Sequence, residues 1–86
     1  MAQSVQAIKD ARERLIGLKQ TLRAIQQDKV KVVFIANDIE EHLIKKIIES
    51  CREKQISIVP ANMSQKDLGR LCQIEVGASV IALIKE

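Results

Sequence analysis

The stretch GLKQTLR, from Gly17 to Arg23, gathers several long-armed hydrogen-bond donors directly behind a glycine. Leu18, Leu22 and Ile25 recur at i, i+4 and i+7, which predicts the buried face of a helix running to about Gln27. Lys19, Arg23 and Gln26 line up at the same spacing on another face, with Gln20 and Gln27 beside them and no acid among them. A face that is merely solvated usually mixes both signs of charge, as the segment after Asn37 does. The start of a helix also carries unpaired N–H groups and the positive end of a dipole, which together attract a phosphate. Gly17 has no side chain to block the approach of another backbone. Lys19 and Gln20 project from the first turn with donors that match guanine O6 and N7, and Gln20 can also accept. The chemistry on offer is recognition of exposed base edges beside a phosphate backbone. A solvated polar helix face without a ligand is the competing explanation.

Other chemistry finds few residues to work with. Cys51 and Cys72 stand apart, without a C-x-x-C, and His42 is the only histidine, so the chain can hardly supply the four ligands of a zinc site. Both cysteines fall on apolar stripes at helical spacing, where a free cysteine is a small buried apolar residue and a poor nucleophile. His42 sits among charged residues and reads as solvated. The three glycines, Gly17, Gly69 and Gly77, form neither a dinucleotide fingerprint nor a Walker loop, and no serine lies in G-x-S-x-G. Asp38, Glu40 and Glu41 are explained by helix capping. The expectation is a protein that is not an enzyme and uses no cofactor.

The chain has 86 residues, 47% hydrophobic and 29% charged, enough for a single folded domain over 1–86. Its net charge of +3 leans toward a polyanion. Phe34 is its only aromatic residue, so it has no platform on which to stack the bases of a single strand. Nucleic acid would have to be bound through hydrogen bonds, charge and shape. No apolar run is long enough to span a membrane, and the charged start of the chain lacks the apolar region of a secretory signal. The expected location is the cytoplasm.

These residues need elements to position them. Val5, Ile8, Arg12 and Leu15 predict a helix over about 4–14, and Leu15–Ile16 a short extended piece stopped by Gly17. The helix from Leu18 leads to VKVVFIA (30–36), a β-branched run suited to a strand covered on both faces. In NDIEE, Asn37 can cap the next helix while Glu40 reaches back, and Ile39, Leu43, Ile44, Ile47, Ile48 and Cys51 form its apolar side. ISIVP supplies a strand over 56–59; Ser64 and Asp67 cap a short helix; the loop QIEVGA leads to a last strand over 79–84. Such alternation predicts an α/β protein, a three-layer α/β/α sandwich with a central mixed four-stranded sheet.

On these elements GLKQTLRAIQQ, VVFIANDIEE and LGRLCQIEVGASVIAL follow one another in a characteristic order and spacing. From Leu15 to Ile84 the chain resembles the ribosomal protein L7Ae/L30e family, and is nearest to its small bacterial members of the YbxF type, in which G-x-K-Q-T and I-E-V-G-A occur together. The resemblance implies a monomeric RNA-binding protein that recognises kink turns, duplexes bent at a short bulge beside tandem sheared G•A pairs. Ribosomal RNA and structured leader RNAs are the implied partners; DNA and membranes are not.

It further implies an RNA site made of Gly17, Lys19, Gln20, Thr21 and Arg23 with the loop Ile74, Glu75, Val76, Gly77 and Ala78. Archaeal and eukaryotic members carry G-x-N-E-x-x-K at the helix start, so Lys19, Gln20 and Arg23 stand where those have Asn, Glu and Lys. Lys19 can donate to a guanine O6 and Gln20 can accept from N1–H, while Arg23 would hold a phosphate or a guanine edge. Ile74 and Val76 would pack against the flipped-out bulge nucleotide, with Gly77 allowing close approach. Glu75 has two readings, as an acceptor for a base or as a partner that orients Lys19. A protein-interaction or regulatory domain on the same fold, with the basic helix face meeting an acidic partner, is the alternative function.

Overall fold

The computed structural model describes residues 6–11 and 13–85. Strands β1 (Arg14–Ile16), β2 (Val30–Ile35), β3 (Ser57–Pro60) and β4 (Val80–Ile84) form one sheet in the order β1-β4-β2-β3. Helices α1 (Gln6–Asp10), α2 (Leu18–Gln26), α3 (Glu41–Lys54) and α4 (Gln65–Leu71) alternate with them along the chain. β4 is antiparallel to both β1 and β2, whereas β2 and β3 are parallel. β1, β2 and β3 therefore share one direction. Their C-terminal ends, the starts of α2, α3 and α4, and the entry into β4 all lie at the same end of the sheet.

Side chains alternate across the strands with a period of two and build a core on each face. Val32, Phe34, Ile81 and Leu83 pack with Ile8 of α1 and with Leu68 and Cys72 at α4. Val33, Ile35, Val80 and Ala82 pack with Ala24 and Ile25 of α2 and with Ile47 and Cys51 of α3. This is the expected three-layer sandwich with a mixed four-stranded sheet. A register shift between Val30 and Val32 places Val30 on the same face as Val33 and Ile35, and Lys31 is left exposed. Pro60 closes β3, an edge strand, where a missing N–H is tolerated.

The region after β2 departs from the sequence-based expectation. α3 begins at Glu41, with Glu40 at its N-cap and no side-chain capping bond, and residues 37–39 form a turn. Asn37 is held by its backbone, its N–H donating to the Met63 carbonyl at 2.9 Å. Asp38 caps a different helix: its Oδ1 accepts from the Gln65 N–H at 2.9 Å, at the start of α4. The turn is tied to the loop before α4, which draws these residues away from α3. Ile39 consequently lies outside the helix, half-buried and in contact with both cores, and Ile48 is partly exposed. The cap expected at α4 is present, the Asp67 N–H donating to Ser64 Oγ at 3.2 Å.

Both cysteines are buried and free, on opposite sides of the sheet. Burial raises the pKa of each thiol; at Cys72 the nearby Arg14 charge partly opposes the rise. His42 is exposed beside Glu40, with Nδ1 and Oε2 3.2 Å apart. No helix among the described residues is long and apolar enough to cross a membrane. Val5 and Arg12, assigned from sequence to the first helix, lie outside the described residues.

Candidate nucleic-acid interface

Gly17 is the N-cap of α2, with φ 109° and ψ 158° and no side-chain cap. Side chains rarely adopt this backbone conformation, so the primary reason for glycine is conformational. A Cβ placed there would meet nothing within 4 Å, which leaves the surface above it open as well. The first i→i−4 bond of the helix runs from the Thr21 N–H to the Gly17 carbonyl at 3.2 Å. The N–H groups of Leu18, Lys19 and Gln20 precede that bond and point out of the helix start. Lys19, Gln20 and Arg23 are exposed, as are Gln26 and Gln27, and the first turn contains no acid. Among the described residues ion pairs form at His42–Glu40 and Lys54–Asp28, and neither involves Lys19 or Arg23. Gln20, Arg23 and Gln27 also line an open hollow of ≈ 320 Å³ with Glu13 and Lys29, which the reading of the helix face alone had not connected to them.

Thr21 differs from its neighbours. It is 0% exposed, and its Oγ1 has no hydrogen-bond partner within the protein. The motif groups it with the donors, but at i+3 from Leu18 it lies on the buried side of the helix. Its buried side chain lies beneath the helix start.

The second segment follows α4. Ile74 is half-buried against the core on the α1/α4 side, while Glu75, Val76 and Gly77 are exposed. Val76 is 71% exposed, an apolar side chain standing in solvent. Ala78 is 1% exposed and belongs to the core, and its N–H donates to the Gln65 carbonyl at 2.9 Å. Its side chain anchors the loop from within the core. The close approach at Gly77 is to the protein itself, since a Cβ there would lie 3.3 Å from Gln65 backbone atoms. Among the described residues no ion pair joins Glu75 to Lys19.

Gly69 was not singled out from the sequence, yet it shapes this loop. A Cβ on Gly69 would overlap the Val76 carbonyl oxygen and stand 3.1 Å from the Gly77 Cα. The loop lies directly on α4 because that helix carries a glycine, Gly69, where the Val76 and Gly77 backbone covers it. The available signal was a glycine in the middle of a helix, costly by roughly 1 kcal/mol unless packing requires it. The turn into the loop is fixed by Gln73 at φ 63°, with Gln73 N–H on the Arg70 carbonyl and Ile74 N–H on the Gly69 carbonyl, both at 3.0 Å.

The two segments meet where β4 begins. The Gly17 N–H donates to the Val80 carbonyl at 2.9 Å, three residues after Gly77, and Ile16 is paired with Ile81. A donor-rich helix start free of acid is thereby mounted beside a loop that exposes an apolar side chain.

A mixed four-stranded α/β/α sandwich with this arrangement at one end defines a structural class, and comparison with known proteins identifies the family. The model of the ribosomal protein L7Ae/L30e/S12e/Gadd45 family matches residues 1–86, and the chain belongs to that family. It is 51% identical over 70 residues to an RNA-binding protein of Caldanaerobacter subterraneus subsp. tengcongensis, covering 81% of this chain and 84% of that one. It is 40% identical to an RNA-binding protein of Halalkalibacterium halodurans, covering 95% of this chain and 99% of that one. With RNA-binding protein YbxF of Geobacillus stearothermophilus it shares 30% identity at the same coverages, 95% and 99%. Among solved structures, a protein of unknown function from Bacillus halodurans superposes with a TM-score of 0.81 at 26% identity, over 94% of this chain and 80% of that one. The Giardia lamblia 15.5kD RNA binding protein has the same fold, with a TM-score of 0.81 at 23% identity, over 95% of this chain and 68% of that one.

Proposed function

We propose that this protein binds RNA and recognises kink turns through the start of α2 and the loop 74–77. The observation that carries the reading is the juxtaposition at β4: exposed Lys19, Gln20 and Arg23 on one side of the Gly17–Val80 bond, exposed Val76 on the other. The major groove of an ordinary A-form duplex is too deep and narrow for side chains to read. A kink opens that groove, and sheared G•A pairs leave guanine O6 and N1–H without Watson–Crick partners. Lys19 donates to the first and Gln20 accepts from the second, while the helix N–H groups and Arg23 hold phosphate. Val76 meets the bulge nucleotide, and Glu75 accepts from a base. Thr21 and Ala78 support the two halves from beneath. The relatives named as RNA-binding proteins favour RNA as the partner.

On this reading the protein is a binding module, monomeric and cytoplasmic, that does no catalysis, and its partner is ribosomal RNA or a structured leader RNA. A gel shift against a standard kink turn and a control with the G•A pairs disrupted tests it. Tight binding to the first and weak, salt-sensitive binding to the second is expected. Equal affinity for both would leave only general attraction to a polyanion.

A further inference from the structure

One short segment of chain holds both ends of the loop 73–79. At the far end, the Gly17 N–H donates to the Val80 carbonyl at 2.9 Å. At the near end, Arg14 Nη2 donates to the Cys72 carbonyl at 3.0 Å. The other arm of the same guanidinium, Nη1, donates to the Ile8 carbonyl at 3.0 Å, so the fork also ties α1 to the end of α4. Arg14 is paired with Leu83 in β1, three residues before Gly17. Cys72 is the C-cap of α4 and immediately precedes Gln73, where the chain turns left-handed into the loop.

We propose that Arg14 is a positioning residue for RNA recognition: its bond to Cys72 sets Val76 against Lys19 and Gln20. The inference rests on the proposed RNA-binding function. Its physical basis is the rigid planar fork of arginine, which satisfies two carbonyls on different elements at once; a lysine ammonium is a single point donor on a flexible stem. Bonds from a charged donor are also stronger than neutral ones, which suits a joint that must resist displacement. A direct role on phosphate fits the geometry poorly. Both arms of the fork are occupied by carbonyls of α1 and α4, on the face of the sheet opposite α2. β1 supplies the link in one direction, because Arg14 and Gly17 belong to one continuous segment. The loop supplies it in the other, since Gly69 and Gln65 hold its middle close to α4.

The test uses the full chain with Arg14→Met, which keeps the alkyl stem, and Arg14→Lys, which keeps the charge. Affinities for a kink turn and its G•A-disrupted control are titrated at fixed salt, well below each variant's thermal midpoint. The amide NMR signals of residues 73–77 are recorded without RNA. Arg14→Met should bind the kink turn about tenfold more weakly, stay within about twofold of wild type on the control, and shift the loop signals. Arg14→Lys should fall between, because it reaches one carbonyl only; it carries the comparison alone if the methionine variant does not fold. Unchanged kink-turn affinity in a folded variant would overturn the proposal. So would equal losses on both RNAs, which mark a direct phosphate contact. A wild-type protein that does not prefer the kink turn contradicts the functional reading itself; wild-type preference with unaffected Arg14 variants contradicts only this inference.

Discussion

Val76 separates recognition from folding at the level of one side chain. Its 71% exposure means that folding gains little from it, so replacing it should hardly change stability. Val76→Asp is expected to leave the urea midpoint nearly unchanged while weakening kink-turn binding, because a carboxylate replaces an apolar contact beside a polyanion. Equal affinity of variant and wild type at several salt concentrations would remove the loop from the site. Lys19, Gln20 and Arg23 were legible in the sequence because helical spacing alone separates them from Leu18, Leu22 and Ile25. Thr21 shares the buried arc, at i+3 from Leu18, and it was the motif that grouped it with the donors, while Ala78 lies in a loop where no helical spacing applies. A motif records which residues occur together, while burial depends on how α2 rests on the sheet and where the chain enters β4. Gly17 was legible as a helix boundary, but the reason for it, φ 109°, required the backbone.

At the scale of elements, periodicity located the helices and strands but carried the first helix to about 14, whereas α1 ends at Asp10 and Arg14 is already in β1, and the capping chemistry was partly misassigned. Asn37 and Asp38 both precede α3 in sequence, so a local reading gave the cap to α3. The choice is made by a contact across 27 positions, Asp38 to Gln65, which local spacing cannot reveal. Two substitutions distinguish the arrangements. Asp38→Ala should cost about 1 kcal/mol, as loss of a helix-capping carboxylate does, whereas Asn37→Ala should lie within about 0.5 kcal/mol of wild type. Urea denaturation of both variants checks this, and the reverse order of losses would restore Asn37 as a cap. The Asp38 bond also bears on the site, since Gln65 contacts Gly77 and accepts from Ala78.

For the molecule as a whole, the sandwich keeps its reactive groups inside and presents its donors at one end. Cys51 and Cys72 illustrate the first property. Each folded thiol titrates above its ordinary value of 9.0 because of burial. Above pH 9.0 the unfolded chain ionises these thiols while the folded chain still holds their protons. Their contribution is therefore fully present below 9.0 and is lost as the pH climbs through the folded values. Thermal midpoints measured between about pH 7 and about pH 10.5 should fall more steeply for wild type than for the Cys51→Ala/Cys72→Ala variant. Parallel curves would show that the thiols do not contribute. The second property is the central one, and it is tested by titrating wild type and the Lys19→Ala/Gln20→Ala variant against an intact kink turn and its G•A-disrupted control at fixed salt. Each base contact is worth roughly 1–3 kcal/mol, so the double substitution should cost on the order of 10³ in affinity on the intact kink turn and little on the control. An equal loss on both RNAs would contradict recognition, and the start of α2 would then be a basic patch that reads no base.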